Sequence, residues 1–254
     1  MCLILVSLMS HPSYPLIIAS NRDEFYNRET QPMAWHRRSP ATLHGTDLKE
    51  GGTWMGITEN GRIAALTNHR DPSRIKADAA SRGWIVSRFL EGTDDAPTFA
   101  ESLRQEKENY NGFNLLFGTV DRLYHYSNIS DTLTELSPGV HGVSNALLNT
   151  PWPKVETGKK ELKTLENPSD AHLFALLANR TKPDDALLPE TGMNLEWERI
   201  LSPLFIESEI YGTRSSCLIT MDTHRTITAT ERSYTCPGTG PTDIAGEQRF
   251  EFNV

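Results

Sequence analysis

The chain has 254 residues, with 33 acidic and 25 basic side chains and a formal charge of −8. That length predicts one large domain or two small ones, and Gly 17 with Pro 15 is an ordinary share that excludes collagen and a disordered tract. A pI near 5.5 counts against a nucleic-acid or anionic-membrane partner, because phosphate affinity comes from clustered Lys and Arg.

In chain order, residues 2–8 form an apolar run and residues 14–20 a second one. His11, Pro12, Ser13 and Pro15 make a turn cluster at their junction, so the pair reads as a hairpin. Residues 25–42 are polar and irregular. Residues 51–58 and 62–68 flank Asn60-Gly61, the turn pair that best accepts the positive φ of a tight hairpin. Helical spacing continues over 79–90, stopped by Gly92, and over 97–107, where Pro97 suits a first turn. Residues 113–119 and 123–126 form another hairpin, and 140–144 one more strand. Residues 153–165, 169–178 and 194–201 read as helices, opening with Pro, Ser and Asn. Residues 216–222 and 226–232 make a last hairpin. Residues 181–193 are the one linker candidate, but the chain beyond them is too short to stand alone as a domain. The pattern predicts a single α+β domain over 1–254, with strands at both ends and helices between.

Cys2, Cys217 and Cys236 are an odd set with no CxxC pair, which argues against structural zinc and against a disulfide-stapled secreted domain. The first apolar run lacks a basic flank and is too short for a signal peptide or a membrane span. The expected compartment is the cytoplasm.

Cys2 directly follows Met1. Removal of Met1 makes Cys2 the N-terminus and places a thiol (pKa about 8.5) beside an α-amine (about 7.7–8.0). Such an amine can serve as general base for its own thiol. The bland alternative is a small buried residue at the start of a strand. Ser20-Asn21-Arg22-Asp23-Glu24 closes the second strand, and the predicted hairpin returns Arg22 and Asp23 toward Cys2. There a carboxylate can hold an ammonium and a guanidinium can lower a thiol pKa. Asn68, Asn149 and Arg214 stand where apolar strands break, and Asn side chains offer the N–H donors an oxyanion requires. Each of them alone reads equally as a turn or cap residue. Gly51-Gly52 before Trp54 is either a close-approach loop or a tight turn.

Six stretches together carry a resemblance: Met1-Cys2-Leu3-Ile4-Leu5, 19–25, 51–56, 65–72, 149–154 and 211–216. They resemble the NRDE family, also called the transport and Golgi organisation 2 family, over nearly the whole chain. The resemblance implies a four-layer αββα sandwich of the N-terminal nucleophile hydrolase type. It implies Cys2 as nucleophile, Asp23 orienting the α-amine, Asn68 and Asn149 as oxyanion donors, and Arg214 adding positive field. Arg22 departs from the related hydrolases, whose Arg lies three residues before the Asp. Successive strand residues point oppositely, so Arg22 and Asp23 are expected on different faces. Asn21, Trp54 and Trp152 are the expected substrate-binding residues.

Two functions are compatible with this sequence. One is a cysteine amidohydrolase or acyltransferase acting on a small amide or thioester, with no cofactor and no metal. The other is a non-enzymatic carrier of haem or of an acyl or lipid ligand in intracellular trafficking, with Cys236-Pro237 as a candidate iron-binding pair. Neither function calls for a transmembrane segment, and the oligomeric state is left open.

Overall fold

The computed structural model describes residues 2–235 and 242–254. Thirteen strands are described: β1 (Cys2–Leu8), β2 (Leu16–Phe25), β3 (Thr30–His36), β4 (Thr42–Asp47), β5 (Met55–Thr58), β6 (Arg62–Asn68), β7 (Phe113–Thr119), β8 (Arg122–Ser127), β9 (Thr132–Glu135), β10 (Gly139–Val143), β11 (Tyr211–Met221), β12 (Thr226–Tyr234) and β13 (Ile244–Asn253). The helices are α1 (Gly83–Glu91), α2 (Ala96–Gln105), α3 (Pro153–Thr164), α4 (Asp170–Leu177) and α5 (Leu195–Leu201).

The strands form two antiparallel sheets. One has six strands in the order β10-β1-β2-β11-β12-β13, and the other seven, running β3 to β9 in sequence order. Alternation sorts each strand's side chains between two layers. In β1, Ile4, Val6 and Leu8 enter the core between the sheets, where they meet Leu43, Ile57 and Leu116 of the second sheet. Leu3 and Leu5 point the other way and pack under α3 and α4, with Val155, Leu162 and Phe174. On the far side, Phe89 of α1 and Phe99 of α2 cover Phe117 of β7. Helices therefore cover both outer faces, and the order of layers is α, β, β, α.

The predicted hairpins and helices are present, but several strands escape the sequence pattern. The stretch read as irregular over 25–42 contains β3, an edge strand with only Met33 buried and a register irregularity between Gln31 and Ala34 around Pro32. β4 buries Thr42 and His44, polar residues that hide its strand character. β9 is an edge strand with little burial on either face, and β13, the edge of the other sheet, alternates only in its last half, where Phe250 and Phe252 lean on the core. Helix α1 opens at Gly83 instead of residue 79, because Ala80 is held in a bridge to Tyr110.

The second strand runs five residues past its expected end, from 20 to Phe25. The polar segment Asn21-Arg22-Asp23-Glu24 is thus a strand interior, flanked by β1 and β11, with its first three residues buried.

Candidate active site

Cys2 opens β1 and pairs directly with Arg22 of β2. Cross-strand partners share a face, and on both strands this face is the inter-sheet one. Arg22 is 5% exposed, and its guanidinium lies over the Trp54 indole, 4.5 Å from the ring centroid. Cys2, Arg22, Asp23, Trp54 and Asn68 line one cavity of about 210 Å³, together with Arg28 and Arg82.

The Trp54 wall depends on two close backbone approaches. Gly51 adopts φ 79°, and a Cβ on Gly52 would lie 2.5 Å from the Gly83 carbonyl carbon at the start of α1. Both readings of the Gly-Gly pair, tight turn and close approach, apply to different residues. On the other side, a Cβ on Gly45 would lie 2.5 Å from the Trp54 ring.

Asp23 is one residue on and faces the opposite way, toward the helix layer. It is 1% exposed, and Thr213 Oγ1 donates to its Oδ1 at 2.7 Å. Burial pushes its carboxyl above the usual range, against the pull of the buried Lys154 ammonium. The β1–β2 register sets Asp23 opposite the position just before Cys2. That is where the α-amine of a chain beginning at Cys2 lies. Burial also raises the Cys2 thiol, while the Arg22 guanidinium pulls it down. A thiol in that state needs a base close by to become a nucleophile.

The other expected residues are dispersed. Asn68 closes β6 at the cavity, and its backbone carbonyl accepts from Asn145 Nδ2 at 2.9 Å. Asn149 does not line the cavity. It sits at φ 58°, where Gly142 N donates to its Oδ1 at 3.0 Å and its Nδ2 lies 3.1 Å from His141 Nδ1, so it braces β10. Arg214 occupies a bulge in β11 and donates from Nη1 to the carbonyls of Phe25, Tyr26 and Arg28 at 3.0–3.1 Å, fixing the turn after β2. Asn21 is fully buried against the helix layer, where its Nδ2 donates to the carbonyls of Leu177 and Leu204. Trp152 precedes α3 and stacks on Arg70 with 4.9 Å between guanidinium and ring centroid, outside the Cys2 cavity.

Sequence reasoning missed three groups. Asn145 is fully buried and connects Asn68 to Ser144, whose hydroxyl donates to the Cys2 carbonyl at 3.1 Å. Its signal is its place just after a strand, the criterion that picked Asn68. Lys154 is 3% exposed in α3, with its Nζ donating to the Leu201 carbonyl at 3.0 Å, and burial brings it to about 8. A lysine on an apolar helix face is its only trace in the sequence. Arg82 precedes α1 and reaches the Gly112 carbonyl at 3.0 Å, and no local pattern marks it.

A second cavity of about 310 Å³ adjoins the first, sharing Glu24, Asn68, Arg82 and Asn111. Its other walls include Phe25, Ile75, Ile129, Met193, Trp197 and Tyr211, so it is an apolar groove opening beside the polar pocket. Among the described residues no group of three or more His, Cys, Asp or Glu could hold a metal, and no helix is long and apolar enough to cross a membrane. Cys236 lies outside the described residues.

Solved structures share this architecture. A variant of conjugated bile acid hydrolase from Clostridium perfringens superposes with a TM-score of 0.50 over 99% of this chain and 97% of that one, at 8% identity. At that identity the likeness concerns the fold alone, the αββα sandwich of N-terminal nucleophile hydrolases. Among curated sequences, the Transport and Golgi organization protein 2 homolog of Bos taurus is 35% identical over 92% of this chain and 93% of its own length. Transport and Golgi organization protein 2 of Drosophila melanogaster is 30% identical over the same shares. The family model for Transport and Golgi organisation 2 matches residues 1–236, and the chain is a member of that family.

Proposed function

We propose that the protein is a cysteine amidohydrolase or acyltransferase that uses Cys2 as an N-terminal nucleophile on an amide or thioester. The observation that carries this reading is the β1–β2 register. It turns the Cys2 side chain into an open cavity and sets Asp23 beside the amino end of the same residue.

The chemistry requires removal of Met1. The freed α-amine, held by Asp23, takes the thiol proton. The thiolate attacks the acyl carbonyl, and the S–C bond forms as the carbonyl oxygen gains charge. Asn68, at the cavity wall, is the donor to that oxygen in this reading. The C–N or C–S bond then breaks, and the ammonium returns its proton to the departing amine or thiol. Water or an acceptor amine resolves the acyl-enzyme, releasing acid or a new amide.

The adjoining apolar groove favours a second reading, a carrier for an acyl or lipid ligand that uses no covalent step. Among the described residues Cys2 and Cys217 form no disulfide, as a protein of a reducing compartment would have them.

Intact-mass analysis separates the readings. Under the hydrolase reading the purified chain lacks Met1 and takes up one equivalent of a thiol-directed acyl probe, and Cys2→Ala takes up none. Retained Met1 with an unlabelled Cys2 overturns it, whereas a carrier binds its ligand regardless of Cys2→Ser.

A further inference from the structure

Among the described residues Arg22 is a buried cation with no ion-pair partner. Its Nη1 is buried without a hydrogen bond, although the side chain lines the Cys2 cavity. The indole of Trp54 covers one face of the guanidinium. A stacked, desolvated guanidinium keeps its in-plane donors for an anion, and its fork geometry matches a carboxylate.

Neighbouring charges set the size of that anion. Three guanidiniums and four carboxylates line the cavity: Arg22, Arg28 and Arg82 against Asp23, Glu24, Asp47 and Glu50. Arg28 is already engaged by Asp47 at 2.5 Å and by Glu24 at 3.7 Å. Arg82 uses Nη1 on the Gly112 carbonyl. Glu231 shares the inter-sheet face of β12 and is attracted by the Arg22 guanidinium, but its Oε1 accepts from Met33 N at 2.8 Å and no salt bridge joins it to Arg22 among the described residues. Acids outnumber bases in this lining by one, so an anion is held only where the Arg22 fork meets it directly, which suits a single negative charge and repels a polyphosphate.

We propose that Arg22 is a substrate-binding residue for one carboxylate, and that the substrate is an N-acyl amino acid: an apolar acyl chain in the groove, the amide at Cys2 and Asn68, and the carboxylate on Arg22. This rests on the hydrolase reading for turnover but not for binding. Water enters as the second reactant. The C–N bond breaks, a fatty acid is released, and the amino acid leaves with the proton from the ammonium.

The test compares N-lauroylglycine with N-lauroylethanolamine, which matches its chain and amide but lacks the charge. Binding is measured by calorimetry on Cys2→Ala, and turnover as laurate released by the unmodified protein. The acid is expected to bind about tenfold tighter or more. Arg22→Gln is expected to bind both equally, and Arg22→Lys to recover only part of the preference. Equal affinity for the two amides in Cys2→Ala overturns the proposal without using any Arg22 variant. Persistence of the preference in a folded Arg22→Gln also overturns it. Tighter binding of the acid without turnover leaves the anion subsite standing and sinks the hydrolase reading. Turnover of both amides at equal rates and affinities does the reverse.

Discussion

Removing Glu198 should destabilise the scaffold behind the site. Glu198 of α5 and Arg70, just after β6, are 4% and 5% exposed and meet at 2.6 Å. The guanidinium also stacks on Trp152 and reaches Asn145 Oδ1 at 3.4 Å. Glu198 Oε1 in turn accepts from Thr191 N at 3.3 Å, tying down the loop before α5. Glu198→Ala strands a buried cation with one long hydrogen bond. Breaking a pair at that depth costs about 3–5 kcal/mol, whereas an exposed pair is worth about 0–1 kcal/mol. In a chain of this size each kcal/mol moves Tm by about 2–4 °C, so the melting point should fall by roughly 6 to 20 °C. Urea unfolding followed by circular dichroism gives the free energy directly. Replacing both partners, Arg70→Met with Glu198→Leu, removes the stranded charge and should recover most of the loss. A Glu198→Ala cost below about 1 kcal/mol, or a double variant weaker than the single, would refute the reasoning.

Acid should weaken the fold through His125. It is 4% exposed, lies 3.1 Å from Asn114 Oδ1, and burial brings it to about 4. Below its ordinary pKa of 6.5 the unfolded chain binds a proton that the fold refuses. Stability is therefore lost as pH falls from 6.5 toward 4, by about 3 kcal/mol in total. His125→Gln should flatten the stability-versus-pH curve by that amount relative to the unmodified protein, and identical curves would show that His125 protonates freely. His44, also held near 4 by burial, keeps the remaining slope in the same direction. Gly45→Ala should drive the Trp54 ring off Arg22, visible as altered tryptophan fluorescence and loss of about 0.5–2 kcal/mol of cation–π stacking; unchanged emission would mean the backbone yields instead. Lys154→Met should cost under about 1.5 kcal/mol, because among the described residues the buried ammonium has a single hydrogen-bond acceptor and Met fills similar volume. It also removes the cation that opposes burial at Asp23, so the acidic limb of a pH–rate profile should move to higher pH. An unmoved limb would uncouple Lys154 from Asp23.

The hairpins were legible because their strands alternate on a buried face and their turns carry Asn-Gly or Pro. β3, β4 and β9 were not, because edge strands lose the buried half of the pattern and β4 buries polar residues at Thr42 and His44, while β13 keeps an alternating Phe250 and Phe252 after a polar, exposed first half. Cys2, Asp23 and Asn68, each at the end of an apolar run, were legible as candidates and do line one cavity. Asn149 and Arg214 have the same local signature, but backbone groups take up their hydrogen bonds. Only long-range geometry separates a strand-end residue that lines a cavity from one that braces a turn.

The face assignment of Arg22 and Asp23 follows from strand parity and explains where this motif has to lie. In β2, Leu16, Ile18 and Arg22 point between the sheets, while Ile17, Ala19 and Asp23 point toward the helices. A thiol and a guanidinium on one face cannot share a pocket with a carboxylate on the other in mid-sheet, because the sheet itself lies between them. They meet only where β1 begins and stops shielding β2, and there Asp23 can approach the amine of Cys2 around the strand end. Moving the motif two residues inward would preserve every side-chain direction and still close that route. Under the hydrolase reading, the position of Cys2 at the very start of its strand thus matters as much as its thiol.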